Sequence, residues 1–427
     1  MNEEQVVQAG TYNLKYVDIL KANGEAVDLR EQIDSITIYE DIYSPFITGK
    51  LTFRDTFDLP SLLGRAGRDL LRFHITNPIV ANTNNDLKGT FLVYKAGERE
   101  LVRDRTQMYN LYFISVEALY DINTQISKKF SGSSDEITKK ICQTYLSTTK
   151  NVIADQSVEN LRYVSNFWSP TKNFEFLSQH SRTASGDTSF LFFENRDGFT
   201  FRTISELGKV PIIQSFFASD YSTDISTQST GDKVGMRFGE VSRNPVKDYR
   251  VIHGSFRVKT IYDYMGAQQN GAIASLMTTY DIVKKKIDFP EYRMSTTGIL
   301  NENSLFRPDV VAAASPVRMS MMKHFSSNSH QQNSTNSGFG QQRIAEMHML
   351  ESSKIEIDVY GRTDYTVGKK VFLGVNATKP IDNTTNLTDT EDLNYSGHYL
   401  ITAIRHTFSR RSHICTLELS KESTKNK

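Results

Sequence analysis

Cysteine and tryptophan are scarce in this chain, with two of the first and one of the second in 427 residues. Cys142 and Cys415 are too few and too far apart for a disulfide framework, and their scarcity fits a reducing compartment. No Cys-x-x-Cys or His-Glu-x-x-His spacing joins them to the nine histidines, so no zinc signature is written in the sequence. The start, "MNEEQVVQAGTYNLKY", lacks the basic and apolar regions of a signal peptide. No run reaches the ~18 apolar residues of a membrane span, so a soluble product made inside a cell is expected, with no membrane span. Excess charge of one sign is missing too. With 50 basic against 49 acidic residues the net charge is +1, which argues against a protein built to grip a nucleic-acid backbone.

Catalytic signatures are equally absent. "GRAGRDLL" (64–71) matches neither a P-loop nor a dinucleotide fingerprint and reads as a turn between strands. No Gly-x-Ser-x-Gly elbow anchors Ser-His-Asp chemistry. A carboxylate pair for glycan cleavage is conceivable, but in a chain with 49 acidic residues their presence discriminates nothing. His398, His406 and His413 crowd the last hairpin pattern and read as exposed or hydrogen-bonded strand positions rather than metal ligands. Trp168 reads as a core anchor beside a helix cap. Arg405, Arg410, Arg411 and Lys421 read as a solvated strand edge. No residue is assigned a catalytic, cofactor-binding or metal-ligating role, no cofactor is expected, and interface residues are left unassigned.

What is present is β-type patterning. The 25 Phe and 20 Tyr favour β-rich structure, and the length calls for roughly two to four domains. Ile36 and Ile38 alternate with Thr37 and Tyr39, then Leu51 and Phe53 with Thr52 and Arg54, around a Ser-Pro-Phe turn. "DLLRFHI" and the two halves of residues 89–117 supply further strands, so 1–118 reads as an antiparallel barrel or sandwich. The character then changes. "SGSSDEITKKICQTYL" has Ser133 and Glu136 spaced as a capping box, with Ile137, Ile141 and Tyr145 on one helix face. "NFWSPTKNFEFLSQ" offers Ser169 as cap, Pro170 at the first helical position, and Phe174 and Leu177 facing inward. "FLFFENRDGFTF" reads as a hairpin turning at Asp197-Gly198. Residues 119–205 are therefore expected to form a mixed α/β unit, followed by β material to about 263. A single helix is expected over "NGAIASLMTTYDIVKKKIDF" (270–289), from the spacing of Ile273, Met277, Tyr280 and Ile287. The Ser/Asn/Gln/Gly stretch 323–342 and the stretch 376–396 are expected to be polar loops.

One pattern returns. "GKLTFRDTFDLPSLLGRAGRDLLRFHI" (49–75) has a counterpart in "SKIEIDVYGRTDYTVGKKVFLGV" (353–375), matching Lys50 with Lys354 and Gly67-Arg68 with Gly368-Lys369. "GTFLVYKAGERELVRDRTQMYNLYFIS" (89–115) has one in "GHYLITAIRHTFSRRSHICTLELS" (397–420). Either hairpin alone would be a weak match. Four strands in the same order, with glycines at the same joints, point to a duplicated module at the two ends of the chain.

Three stretches, "SITIYEDIYSPFITGKLTFRDT", "NFWSPTKNFEFLSQHSR" with "FLFFENRDGFTF", and "GHYLITAIRHTFSRRSHICTLELSKES", resemble the central baseplate hub protein of contractile-tailed bacteriophages. The related N-terminal part of the type VI secretion spike protein shares that architecture. The resemblance implies a mainly β fold with α/β insertions, in which two homologous antiparallel tail-tube-like β-barrels carry two inserted α+β domains. The divisions are 1–118 (first barrel), 119–205 (first insert), 206–245 with 346–422 (second barrel), 246–345 (second insert) and 423–427 (tail). It further implies a non-enzymatic homotrimer of pseudo-sixfold symmetry in the virion tail baseplate, assembled in the host cytoplasm. Its partners would be the tail tube or tube-initiator protein, a central spike that can carry lysozyme, and the baseplate wedge proteins. DNA would pass through the lumen without sequence-specific binding. The chain's end at "SKESTKNK", soon after the second barrel, favours a phage hub with a separate spike over a type VI secretion or other contractile injection component. A cell-wall glycan hydrolase is the alternative from another class.

Overall fold

The computed structural model describes residues 8–21, 24–55, 69–78, 86–103, 106–158, 160–218, 249, 252–281, 285–295, 303–304, 306–322, 336–375, 392, 394–410 and 412–424. The first module contains strands β1 (Asn13–Leu20), β2 (Ala26–Asp28), β3 (Ile33–Asp41), β4 (Thr48–Asp55), β5 (Leu70–Thr76), β6 (Leu87–Arg103) and β7 (Thr106–Ser115). They hydrogen-bond in the order β3-β4-β7-β6-β5-β1-β2, every pair antiparallel. Alternation produces this arrangement. Leu51 and Phe53 on β4, Leu71, Phe73 and Ile75 on β5, and Leu111 and Phe113 on β7 all point into one core. Each such side chain contributes about 1.5–3 kcal/mol by leaving water. Gly49 is required by that packing, since a Cβ there would lie 2.1 Å from the Phe113 ring and 2.6 Å from the Thr37 carbonyl oxygen.

The next segment holds α1 (Glu117–Asn123), β8 (Ile126–Ser133), α2 (Ser134–Thr144), β9 (Val152–Ala154), β10 (Asn160–Trp168), α3 (Pro170–Gln179), β11 (Phe190–Asn195), β12 (Gly198–Thr203) and α4 (Ile204–Lys209). Ser133 is the N-cap of α2, but its hydroxyl makes no cap hydrogen bond; the Ser134 amide donates to Ser157 Oγ instead. Ser169 caps α3 as expected, accepting from the Lys172 amide, with Pro170 at the first position and Phe174 and Leu177 buried. The hairpin turns one residue earlier than expected. Asn195 pairs with Gly198, so Arg196-Asp197 form the turn and Gly198, at φ +124°, begins the strand. Residues 206–209, expected in β material, are helical, with Thr203 Oγ1 accepting from the Glu206 amide. A third core gathers Ile126, Ile137, Phe174, Phe190, Phe199 and Phe201.

The rest comprises β13 (Ile212–Ala218), β14 (Ile252–Thr260), α5 (Tyr264–Gln269), β15 (Ala274–Asp281), β16 (Lys286–Asp288), β17 (Glu291–Arg293), β18 (Asn303–Ser304), α6 (Pro308–Ala313), β19 (Val317–Met322), α7 (Asn336–Ser352), β20 (Ser353–Tyr360), β21 (Lys370–Val375), β22 (Gly397–Ser409), β23 (His413–Lys421) and β24 (Ser423–Thr424). The helix expected over 270–289 is absent. Ser275, Met277 and Thr279 point inward with a period of two, and β15 pairs with β16, β17 and β19. The polar stretch 323–342 runs into α7 from Asn336 onward, and its residues 323–335 lie outside the described residues. Of 376–396, residues 392 and 394–396 are described. Among the described residues no helix is long and apolar enough to cross a membrane.

The repeat is real at the level of hydrogen bonds. The second module orders its strands β20-β23-β22-β21, all antiparallel, as the first orders β4-β7-β6-β5. Each is flanked by an antiparallel strand on its first member, β3 on β4 and β14 on β20. Even the bulges coincide. The β6–β7 register slips between Val93 and Lys95, and the β22–β23 register slips between Ile401 and Ala403. The equivalences differ in detail from the sequence match. Gly89 and Gly397 do correspond, facing Phe73 and Leu373. Lys50, however, faces Tyr112 where Glu356 faces Glu418, so Lys354 is displaced by two positions. Ser115 corresponds to Lys421 rather than Ser420, and Lys369 to Asp69, the Val93 and Ile401 amides donating to their carbonyls. Gly67-Arg68 lie outside the described residues. The outer strands also differ: β1 runs antiparallel to β5, whereas β13 runs parallel to β21.

Candidate functional site

Among the described residues, one strand pair joins the sheets of the two modules. Beyond the bulge, β22 turns a second edge to β3, pairing Arg405 with Tyr39, His406 with Ile38, Thr407 with Thr37 and Phe408 with Ile36. A single 13-stranded sheet results. Glu40, buried at this seam, reaches from the first module into the second. Its carboxylate accepts from the Thr366 hydroxyl and, at 3.2 Å, from the Val367 amide. Burial pushes its pKa up to about 7, against those two hydrogen bonds.

The duplication places the seam's counterparts on open edges. After its pairing with β5 ends at Leu92, β6 continues to Arg103 with β7 on one side and, among the described residues, no strand on the other. Its residues 98–101 are exposed, Leu101 to 69%. The strand equivalent to β3 is β14, which among the described residues pairs with β20 alone. Carrying the seam's register across equates Glu100 with Thr407, Leu101 with Phe408, Arg257 with Thr37 and Phe256 with Ile36. Glu100 would then face Arg257, and Leu101 would face Phe256, in a pairing between copies. Ile261, Tyr262 and Met265, just past β14, are exposed apolar residues beside that edge.

The residues singled out from the sequence are distributed as follows. Trp168 is half-buried against Tyr163 and Phe176, with ring centroids 6.2 and 5.3 Å away. Arg405 is exposed and donates to Thr416 Oγ1, but β22 is interior to the sheet, so it marks no free edge. Arg410 donates to the Ile33 carbonyl, and Arg411 lies outside the described residues. Lys421 corrects the expectation of a solvated edge. It is fully buried, donates to the Asn394 and Ser396 carbonyls, and lies over the Tyr399 ring, while burial lowers its pKa to about 8. The seam's neighbour, a cavity of about 240 Å³, is lined by Glu40, Lys150, Glu194 and Arg196 among others. In it Lys150 holds Glu117 at 2.7 Å and Glu194 at 2.6 Å. Glu117 and Glu194 share this one cation, and burial raises the Glu194 pKa against the pull of Lys150; an acid–base couple for glycan cleavage would also need an open sugar site beside it.

His398 stays apart, edge-on to Phe372. His406 and His413 are not exposed strand positions. Both are fully buried and converge with Cys415, which the sequence reading left out. His406 Nδ1 lies 3.1 Å from His413 Nε2 and 3.1 Å from Cys415 Sγ, and His413 Nε2 lies 3.3 Å from that sulfur. Burial lowers the His406 pKa to about 3 and also pulls that of His413 well below its ordinary value, keeping both rings neutral, and pushes the Cys415 thiol well up. The available signal was His413-x-Cys415, two residues on one face of a strand.

No family model matches the chain. Its fold is that of phage tail proteins. It superposes on the 43 kDa tail protein of prophage MuSo2 from Shewanella oneidensis with TM-score 0.53 and 10% identity, over 96% of this chain and 98% of that one. It superposes on the tail protein from Neisseria meningitidis MC58 with TM-score 0.54 and 10% identity, over 96% of each. In sequence it is similar to the protein named "Probable baseplate hub protein gp334" of Vibrio phage KVP40, 19% identical over 418 residues, or 94% of this chain and 92% of that one.

Proposed function

We propose that this chain is the structural hub of a contractile phage tail baseplate, and that three copies form a ring of six barrels. One observation carries the reading: both modules share one strand order, and the seam that joins them within a chain has its two counterparts on edges that, among the described residues, are open. Repeating the β22–β3 pairing as β6 of one copy on β14 of the next closes a ring with two barrels per copy and threefold symmetry. Glu100 opposite Arg257 and Leu101 opposite Phe256 support that register, since opposite charges and apolar pairs stabilise cross-strand neighbours. Such a ring offers a near-sixfold face to a hexameric tube or tube-initiator protein and a threefold face to a central spike, with wedge proteins outside and a lumen for DNA. The same reading makes the chain a scaffold and not an enzyme. It also divides the chain into two barrels with one insert at 119–205 and another between β14 and β20, so that the 246–345 expected for the second insert loses β14 (Ile252–Thr260) to the second barrel.

The test is mass and cross-linking. Native mass measurement is expected to give three copies. A Glu100→Cys/Arg257→Cys chain, oxidised, should become a covalently closed trimer, because the two native cysteines are buried. A monomer, or a trimer whose introduced cysteines stay reduced, would overturn respectively the assembly and its register.

A further inference from the structure

The geometry points to a zinc site inside the second barrel, formed by His406 Nδ1, His413 Nε2 and Cys415 Sγ. The three donors are brought together by strand register. His406 on β22 lies directly opposite Cys415 on β23, and His413 is two residues away on the same face. Their separations of 3.1, 3.1 and 3.3 Å leave a point that is about 2.0–2.3 Å from all three, the bond lengths zinc makes to imidazole nitrogen and thiolate sulfur. That point lies off the plane of the three atoms, as the base of a tetrahedron requires. Two imidazoles and a thiol are the donor set for a thiophilic ion of borderline softness.

The surroundings hold the cluster in place. The His413 ring stacks on Phe408 at 3.9 Å, and its backbone is pinned from both sides, the amide donating to the Gly10 carbonyl and the carbonyl accepting from the Gly361 amide. Gly361 is kept free of a side chain, since a Cβ there would fall 2.3 Å from the His413 ring. The Tyr365 hydroxyl, fully buried and without a hydrogen-bond partner, belongs to the same interior. Without an ion this barrel buries two imidazoles and a thiol against one another; with one, their lone pairs are used and β22 is clamped to β23 at the strand pair that also meets β3. Binding releases the thiol proton to solvent and leaves both imidazoles neutral.

The experiment measures metal directly and does not depend on the assembly reading. Full-length chain, made without a histidine tag in zinc-supplemented medium, is expected to carry about one zinc per chain by elemental mass spectrometry. Cys415→Ser and His406→Gln should each fall at least tenfold, while His398→Gln, on the same strand but outside the cluster, should keep its zinc. Because a cluster variant can fail to fold, the wild-type chain is also refolded with Co²⁺ alone, where a thiolate-to-cobalt charge-transfer band is expected. Zinc content in the wild type no higher than in Cys415→Ser, or a cobalt spectrum without that band, would overturn the site.

Discussion

Replacing Glu40 by glutamine isolates the energetics of the seam. The carboxyl's pKa rises from an ordinary 4.5 to about 7 because it is withdrawn from water between the two modules. At about 1.4 kcal/mol per pH unit, that difference is worth about 3 kcal/mol. The direction follows from proton binding. The folded protein holds this proton more tightly than the unfolded chain, so the stabilisation is fully present below pH 4.5 and is lost as pH rises through 7. Other groups act in the same range, among them Glu346, also near 7, and His406, which works in the opposite direction. The difference between wild type and Glu40→Gln cancels them. Glutamine keeps an acceptor for the Val367 amide and cannot ionise, so at pH 8 it should protect the β3 and β22 amides from hydrogen exchange about 100-fold better than wild type. At pH 4.5 the two should match within a fewfold. Comparison at one pH removes the intrinsic exchange rates, and local protection avoids assuming two-state unfolding for a chain with several cores. Equal protection at pH 8, or a variant less protected there, would refute the argument that burial, rather than the nearby Arg196 guanidinium, dominates this carboxyl.

Two further substitutions test other joints. Gly49→Ala should cost about 1–3 kcal/mol, seen as reduced amide protection across β3, β4 and β7, and Phe113→Leu should recover part of it by moving the nearest ring atom away. Lys150→Met should destabilise the third core by about 3–5 kcal/mol at pH 7, because it strands Glu117 and Glu194 buried without their cation. Trp168 fluorescence during urea unfolding reports that core, and the loss should shrink on acidification as the carboxylates take up protons; a loss unchanged at pH 4 would refute it.

The paired modules were legible because alternation survives duplication. Leu51, Phe53, Leu71 and Phe73 in one copy, and Ile357, Val359, Val371 and Leu373 in the other, keep inward positions whatever their identity. Lysines and serines were poor guides to register, since their exposed or terminal positions carry no packing constraint. Residues 270–289 misled for a different reason: Ile273, Met277 and Tyr280 recur at helical spacing, yet Ser275 and Thr279 are the inward partners of Met277, and polar inward residues do not show in an apolar pattern. Helix α7 was hidden because its buried face mixes polar with apolar residues: Gln341, Ala345 and Met349 recur every four positions, while Leu350 turns to a different core. Lys421 was misread because its burial depends on two carbonyls, of Asn394 and Ser396, supplied from a different loop.

The buried cluster shows how the two copies have diverged. By strand register Cys415 corresponds to Tyr109 and His413 to Gln107, while His406 corresponds to the bulged Glu98-Arg99 of β6. In the first module Tyr109 stacks on Phe53 at 5.8 Å and donates to Gln107. One module thus fills this end of its core with an aromatic stack and the other with three donor atoms. The bulge decides which. Where β6 carries an extra residue, its far end stays paired with β7 and, among the described residues, meets no strand on its other side; where β22 runs straight, the same stretch pairs with β3 and His406 turns inward. Only strand pairing distinguishes those outcomes, and pairing is the property that a single sequence states least directly.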